Sequence, residues 1–185
     1  MDQLIWIVGG VTVAVLLAWY ISYGAARLDR LHARVEGALS ALDAQLVRRA
    51  EATLELANCG ALDAASALIL AGAASDSLEA GAETVSHAAR ETAESDLTQA
   101  LEVALGEEAL RQLREDLAVG APMLQRVAAA NQRVQLARRF LNDAVTDVLR
   151  VRRKPGVRLL RLAGHAELPQ TFEFDDELPM LGRGA

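Results

Sequence analysis

An uncharged segment of twenty residues runs from Leu4 to Tyr23 and reads LIWIVGGVTVAVLLAWYISY. As a helix rising about 1.5 Å per residue it would extend roughly 30 Å, the thickness of the hydrocarbon core of a bilayer. Trp6 lies near one end and Trp19, Tyr20 and Tyr23 lie near the other, where they can reach the two headgroup levels. These four residues are all the Trp and Tyr of the chain. The segment is therefore predicted to span a membrane rather than to form a buried helix of a soluble core.

Residues 1–26 are predicted to be an uncleaved transmembrane anchor. The alternative, a signal peptide cleaved after Ala26, is disfavoured because the segment has no basic n-region and its apolar run is too long. No Lys or Arg precedes the span, whereas Arg27, Arg30 and Arg34 follow it at once. The positive-inside rule then places the N-terminus outside and the domain in the cytoplasm, with the chain in the inner (plasma) membrane.

The composition of the remaining residues favours an all-α domain. About 160 residues are enough for one domain with its own core. Ala and Leu dominate this part, and runs of β-branched residues are missing outside the span. Residues 51–116 contain 14 acids against three arginines, and residues 126–161 contain ten basic residues against two acids. Cys59 is the only cysteine, so an intrachain disulfide is excluded.

Residues 27–154 are predicted to form an antiparallel up-and-down four-helix bundle that continues from the transmembrane helix. The first helix carries an apolar stripe with an eleven-residue repeat, which predicts a nearly straight helix with one buried face. Gly60 is expected to end it, and Asp63 to cap the second helix. The expected segments are 27–58, a second from 63 whose end lies between 74 and 90, 92–117 with a kink at Gly106, and 122–152.

The last segment has the clearest apolar pattern, with two rows that each repeat every seven residues. A mostly alanine row lets a neighbouring helix approach closely, so this face is interpreted as core. The first and last segments are of similar length, and residues facing each other should have numbers that sum to about 180. Two cross-helix pairs are therefore predicted, Asp43 with Arg133 and Arg34 with Asp143. The two rows are Val127, Val134, Leu141 and Val148, and Ala130, Ala137, Ala144 and Val151.

Residues 155–166 form a basic amphipathic segment. An even number of helices returns this segment to the membrane surface, where its cations are expected to meet anionic lipid. The sequence supports equally the alternative that the segment caps the open end of the bundle. The predicted membrane-surface residues are Arg27, Arg30, Lys154, Arg158 and Arg161.

Residues 167–185 form an acidic tail that is expected to be partly disordered. Phe172 and Phe174 lie among its acids, and they either pack back onto the bundle or serve as a short partner motif. Disorder is expected beyond Asp176 because chain ends are poorly ordered unless other groups hold them.

Two blocks of sequence at opposite ends of the predicted bundle resemble the LemA family. The resemblance implies a single-pass bacterial membrane protein with an antiparallel helical bundle and no firmly assigned molecular activity. Family members usually have a proline soon after the double arginine, whereas residues 51–54 here contain none, so the first helix should continue. The matching residues are Arg34-Val35, Ser40, Asp43, Gln45-Leu46, Arg48-Arg49-Ala50, Arg133, Ala137-Arg138 and Asn142-Asp143-Ala144-Val145.

The sequence offers little support for chemistry. His32, His87 and His165 are far apart and lack the spacing of metal ligands, so no cofactor, metal or catalytic set is predicted. The basic C-terminal half lacks interleaved aromatic residues, so a nucleic-acid partner is not expected.

The leading hypothesis is a non-enzymatic, membrane-anchored interaction protein that binds a protein partner or forms a homo-oligomer. The alternatives are an accessory or signal-relay subunit of a membrane enzyme such as a metallopeptidase, and an enzyme in its own right. Gln45, Arg48 and Arg49 are the candidate partner surface. Together with Asp43 they are interpreted first as a solvated flank, and otherwise as a buried polar network.

Overall fold

The computed structural model describes residues 2–82, 86–159 and 168–182, and within them the chain is helical and has no strand. The all-α class expected from the composition is therefore confirmed for the described part. The helices are α1 (Asp2–Asn58), α2 (Ala64–Ala82), α3 (His87–Ala104), α4 (Glu107–Glu115), α5 (Gly120–Arg152), α6 (Pro155–Leu159) and α7 (Pro179–Gly182).

The chain forms two compact units. Unit 1 comprises Met1–Gly37 with Asn142–Thr171, and unit 2 comprises Ala38–Leu141 with Phe172–Ala185. Both α1 and α5 contribute residues to each unit.

The end of α1 and the start of α2 follow the sequence signals. α1 continues through residues 51–54 without a break and ends at Asn58. Gly60 has a φ of 79°, a left-handed conformation that glycine adopts without a steric penalty. The Asp63 carboxylate accepts hydrogen bonds from the backbone N–H groups of Ala65 and Ser66, both at 3.0 Å. The predicted stop and the predicted N-cap are confirmed.

The middle of the chain is divided differently from the prediction. α3 begins at His87, earlier than expected, because the Ser86 hydroxyl accepts a hydrogen bond from the backbone N–H of Ala89 and caps the helix. At Gly106 the chain breaks between α3 and α4 instead of bending within one helix. α5 begins at Gly120, where the Asp116 carboxylate accepts hydrogen bonds from the N–H groups of Val119 and Gly120.

The core of unit 2 lies between the apolar faces of α1, α2, α3, α4 and α5. α2 packs along α3. On α1, Leu42 and Leu46 are fully buried, and on α5 Val127 and Val134 are fully buried, as the two repeats predict. Burying a side chain of this size contributes about 1.5–3 kcal/mol. Val127 belongs to a core cluster with Ala50, Leu56, Leu70, Ala74, Leu97, Leu101, Leu105, Leu113, Leu124, Ala130 and Leu178.

Contacts between α1 and α5 show that the two helices are antiparallel within unit 2. Arg49 donates a hydrogen bond to Asn131 Oδ1 at 3.3 Å, and Glu55 pairs with Arg126 at 2.6 Å. The residue numbers of these pairs sum to 180 and 181, which is the register expected from the sequence.

Unit 1 is built from the N-terminal part of α1, the C-terminal part of α5 and α6. Leu28 on α1 is buried, as are Val145 and Val148 on α5. A Cβ atom on Gly156 would lie only 2.7 Å from the Tyr20 hydroxyl oxygen, so α6 passes very close to this side chain. The absence of a side chain at Gly156 is what permits this approach.

Candidate functional site

Among the described residues one helix, α1, is long and apolar enough to cross a membrane, and none of its most apolar stretch is buried in the protein. The aromatic side chains predicted for the two interfaces are exposed, with Trp6 at 81%, Trp19 at 67%, Tyr20 at 51% and Tyr23 at 57%. The side chain of Leu4 lies outside the described residues. The N-terminal part of α1 therefore presents an uncovered apolar surface.

The predicted membrane-surface cations are only partly described. Arg27, Arg30 and Lys154 are exposed. The side chain of Arg158 and the whole of Arg161 lie outside the described residues, so the residues of the 155–166 segment that follow α6 are not placed.

The two predicted cross-helix pairs are not formed. In unit 1, Arg34 lies 3.5 Å from Asp147 instead of pairing with Asp143. Asp147 is one turn further along α5, and the numbers of Arg34 and Asp147 sum to 181, close to the expected value of about 180. In unit 2, none of the ion pairs found among the described residues joins Asp43 to Arg133.

Asp43 is exposed, and the charged groups that act on its carboxyl, Arg90, Glu94 and His87, belong to α3. Loss of surrounding water raises the pKa of the Asp43 carboxyl above its ordinary value, and nearby Glu94 adds to this effect. Arg90 and His87 lie close enough to oppose the rise in pKa.

The candidate partner surface is divided among three environments. Arg49 is completely buried, which corrects the interpretation of this residue as part of a solvated flank. Arg48 is exposed and lines a surface depression of about 500 Å³ between α1 and α5. Gln45 lines a second depression of about 220 Å³, and its Oε1 is buried without a hydrogen-bond partner among the described residues.

The two depressions share Arg133 as a lining residue, and we call the surface between α1 and α5 that they line the α1–α5 groove. Its floor at one end consists of small residues, Ala38, Ala41 and Ala137. Leu136 and Phe140 line the same end, and they are 52% and 56% exposed. The groove thus combines exposed apolar surface with an unsatisfied buried amide oxygen.

A buried network of charges surrounds Arg49. Its Nη2 lies 2.6 Å from Glu94 Oε2, and both side chains are fully buried. Nη1 donates to the Thr98 hydroxyl at 3.1 Å and to Asn131 Oδ1 at 3.3 Å. Burial lowers the pKa of Arg49, whereas the ion pair and hydrogen bond with Glu94 oppose that change.

Glu94 also joins α3 to α2. Its Oε1 accepts a hydrogen bond from the Ser77 hydroxyl at 2.8 Å and lies 3.3 Å from Nη2 of Arg90. Arg90 donates to the backbone carbonyl of Ser77 at 2.6 Å. One buried carboxylate therefore serves two buried guanidinium groups.

The acidic tail lies against this network in an extended conformation. Residues 172–178, which we call the strap, alternate between buried and exposed: Phe172, Phe174, Asp176 and Leu178 are buried, and the residues between them are exposed. The disorder expected beyond Asp176 is thus not found up to residue 182, since Leu178 joins the core and α7 follows. Of the two alternatives for the phenylalanines, the structure places both rings on the domain.

Two buried side chains of the strap, Phe174 and Asp176, contact arginine side chains of the helices. The guanidinium carbons of Arg49 and Arg138 both lie over the Phe174 ring, 5.3 and 5.7 Å from its centroid. Arg138 binds the Asp176 carboxylate with two hydrogen bonds, Nε to Oδ2 at 2.7 Å and Nη2 to Oδ1 at 3.0 Å. The Phe172 ring packs edge-on against Phe174 and His87.

Side chains of α3 and α5 also hold the strap backbone. From α3, Glu91 accepts from the Glu173 N–H, Ser95 accepts from the Asp175 N–H, and Thr98 donates to the Asp175 carbonyl. From α5, Asn131 and Gln135 both donate to the Asp176 carbonyl. We call this surface the strap cleft; its backbone-binding residues are Glu91, Ser95, Thr98, Asn131 and Gln135.

No group of three or more His, Cys, Asp and Glu side chains is arranged for a metal ion in the described part of the chain. Sequence reasoning did not find that Glu94 pairs with Arg49 and Arg90, or that Asp176 pairs with Arg138. One available signal was the series Arg90, Glu94 and Thr98, which places polar groups four residues apart beside the apolar face of α3. The other was the alternation of apolar and acidic residues in the tail.

Comparison of the chain with protein-family models, curated proteins and solved structures gives no match. The resemblance to the LemA family therefore stays a prediction.

Proposed function

We propose that this chain is a membrane-anchored, non-enzymatic interaction protein of the LemA type. In this proposal α1 crosses the inner membrane once, and a cytoplasmic four-helix bundle presents its surface to a protein partner or to a second copy. The observation that carries the anchor is the exposed apolar surface of α1 from Trp6 to Tyr23. A continuous apolar surface of this size is favourable in lipid and costly in water.

The close approach of Gly156 to Tyr20 supports a surface position for the basic segment. Tyr20 belongs to the aromatic group proposed for one membrane interface, so α6, which contains Gly156, would lie at the same level. Cations that follow in the sequence would then be near anionic headgroups. The three arginines after the span favour the cytoplasmic side for this interface.

The α1–α5 groove supports an interaction function. A helix of a partner fits a groove floored by alanine residues, because small side chains allow close approach of two helices. Leu136 and Phe140 would supply apolar contacts, and a donor on the partner would satisfy Gln45 Oε1.

Two measurements on the full-length chain test this proposal. A reporter fused after residue 185 should be active only when it is of the type that works in the cytoplasm. A photo-crosslinking residue at Leu136 should give a specific adduct with one protein in intact cells, whereas the same residue at exposed Glu102 on α3 should not. A reporter active only outside the cytoplasm would contradict the topology, and equal labelling at both positions would contradict the partner surface.

A further inference from the structure

The strap cleft has the two components of a peptide-binding site. One component recognises a main chain: side chains of two helices bind three main-chain groups on successive strap residues and one N–H further back. On α3 these side chains lie at positions 91, 95 and 98, and on α5 positions 131, 135 and 138 face the strap, so each helix contributes one face. Main-chain hydrogen bonds of this kind do not depend on the sequence of the bound segment.

The second component recognises side chains at alternate positions. The Phe172 ring lies beside His87, and the Phe174 ring lies under the guanidinium groups of Arg49 and Arg138. The Asp176 carboxylate forms two hydrogen bonds with Arg138. Bidentate binding by arginine fixes the position and direction of a carboxylate. A segment that fits the cleft must therefore be extended and carry aromatic, aromatic and Asp residues at every second position.

Charge gives the cleft a preference for an acidic occupant. Arg49, Arg90 and Arg138 converge there, and the fully buried carboxylate of Glu94 pairs with the first two of them. The strap adds Asp176, which is 3% exposed, and Glu173, whose carboxylate lies 3.2 Å from Arg138. Arg49 and Arg90 share Glu94 of α3, whereas both described carboxylate partners of Arg138 come from the strap.

We infer that the strap cleft is a recognition site for an extended acidic peptide of a partner protein, with two aromatic residues and an Asp at alternate positions. The chain's own strap occupies the cleft as an intramolecular ligand of the same chemistry. This inference rests on the proposed function as an interaction protein and names a second surface for it, on unit 2 and separate from the α1–α5 groove.

Intramolecular occupancy sets how the site responds to a partner. A tethered segment has an effective concentration on the order of millimolar, so an external peptide must compete with it. Weakening the strap without changing the cleft should therefore increase the affinity for an external peptide.

The experiment measures binding of a fluorescent peptide with the sequence of residues 168–182 to the full-length chain in detergent micelles. Three proteins are compared: the natural chain, a strap variant carrying Phe174→Ala and Asp176→Ala, and the strap variant with Arg138→Glu added. We expect at least about tenfold tighter binding to the strap variant than to the natural chain. Arg138→Glu should abolish this binding, and a peptide carrying Asp176→Arg should restore it.

Restoration by the charge-exchanged peptide is the decisive result, because a general loss of packing cannot produce it. A strap variant that keeps its helical circular dichroism and binds no peptide would overturn the inference. A strap variant that loses its helical signal would overturn it too, since the strap would then be part of the folded core. If the natural chain instead exchanges straps within a dimer of defined mass, the occupant is a second copy and the partner peptide is rejected.

None of these results depends on the membrane. If the peptide fails to bind while the reporter and cross-linking results hold, only the inference about the strap cleft fails. If the peptide binds while those results are negative, the cleft stands and the proposed function is wrong.

Discussion

Replacing Glu94 by Gln removes the charge that Arg49 and Arg90 share, while the shape of the side chain is kept. Arg49 and Glu94 are both fully buried and their charged atoms are 2.6 Å apart. Removing one partner of a buried ion pair typically costs about 3–5 kcal/mol, because the remaining charge is left without compensation. Since the Gln amide oxygen can still accept hydrogen bonds, we expect the lower end, a loss of about 3 kcal/mol in the free energy of unfolding.

The assay is urea denaturation of the full-length chain in micelles, followed by helical circular dichroism. With a slope of about 1–3 kcal/mol per molar urea, the midpoint should fall by roughly 1–3 M. Glu102→Gln is the matched control, because Glu102 lies on the same helix and is exposed, so its effect should stay within about 0.5 kcal/mol. If the midpoints of the two variants coincide, the buried pair does not stabilise the fold as argued.

A double-mutant cycle separates the pair from its surroundings. Arg49→Met alone leaves Glu94 facing Arg90, and Glu94→Gln alone leaves two unpaired guanidinium groups. If the pair acts as a unit, the double variant should be less destabilised than the sum of the single variants by about 0.5–3 kcal/mol. Simple additivity would contradict the coupling.

Three further predictions concern other parts of the fold. Leu46→Ala should lower the free energy of unfolding by about 2–5 kcal/mol because Leu46 is fully buried, whereas Leu136→Ala, at a half-exposed position, should change it by less than about 0.5 kcal/mol in the same urea titration. Asp147→Asn should cost less than about 1 kcal/mol, since the Arg34–Asp147 pair is largely exposed, and a larger loss in the urea midpoint would contradict its surface position. The N–H groups of Gly120 and Val119 hold the pKa of Asp116 below its ordinary value of 3.8, so its contribution to stability is present above that pH and is lost as pH falls through the lower, folded value. Asp116→Asn should keep the cap and remove this part of the acid dependence in thermal unfolding scans between pH 2 and 7, and an unchanged pH profile would contradict the assignment.

The parts of the fold that depend on local sequence were predictable. The stop at Gly60 and the cap at Asp63 follow from residue types whose conformational preferences act within one turn. The repeats that bury Leu42, Leu46 and Val134 follow from helical periodicity alone. The antiparallel register also followed, because it depends on the lengths of two helices.

The buried network was not predictable from one sequence, since its members come from distant segments. Arg49 on α1 meets Glu94 on α3 and Asn131 on α5, and no local pattern fixes which residues meet after folding. Arg34 was assigned to Asp143 instead of Asp147 for a related reason: a register known to within one turn cannot choose between these two residues.

The strap was misjudged because chain ends are usually assigned to disorder. The alternation in residues 172–178 is a signal for an extended segment with one buried face. Its order depends on partners such as Arg138, which lies 2.7 Å from Asp176 and belongs to a helix more than thirty residues earlier. Similarly, α3 begins earlier than its apolar pattern indicates, because Ser86 caps it. The cap is a hydrogen bond to the backbone N–H of Ala89, and such a bond leaves no trace in the apolar periodicity.

The depth of Trp6 and Trp19 in a bilayer tests the proposed membrane span most directly. They are the two tryptophans of the chain, so intrinsic fluorescence reports on them without labels, and Trp6→Phe and Trp19→Phe separate their signals. In vesicles containing brominated lipids, both residues should be quenched most strongly by bromine near the headgroups, with little quenching by acrylamide in water. Strong quenching by acrylamide and none by brominated lipid would show that α1 does not enter the membrane.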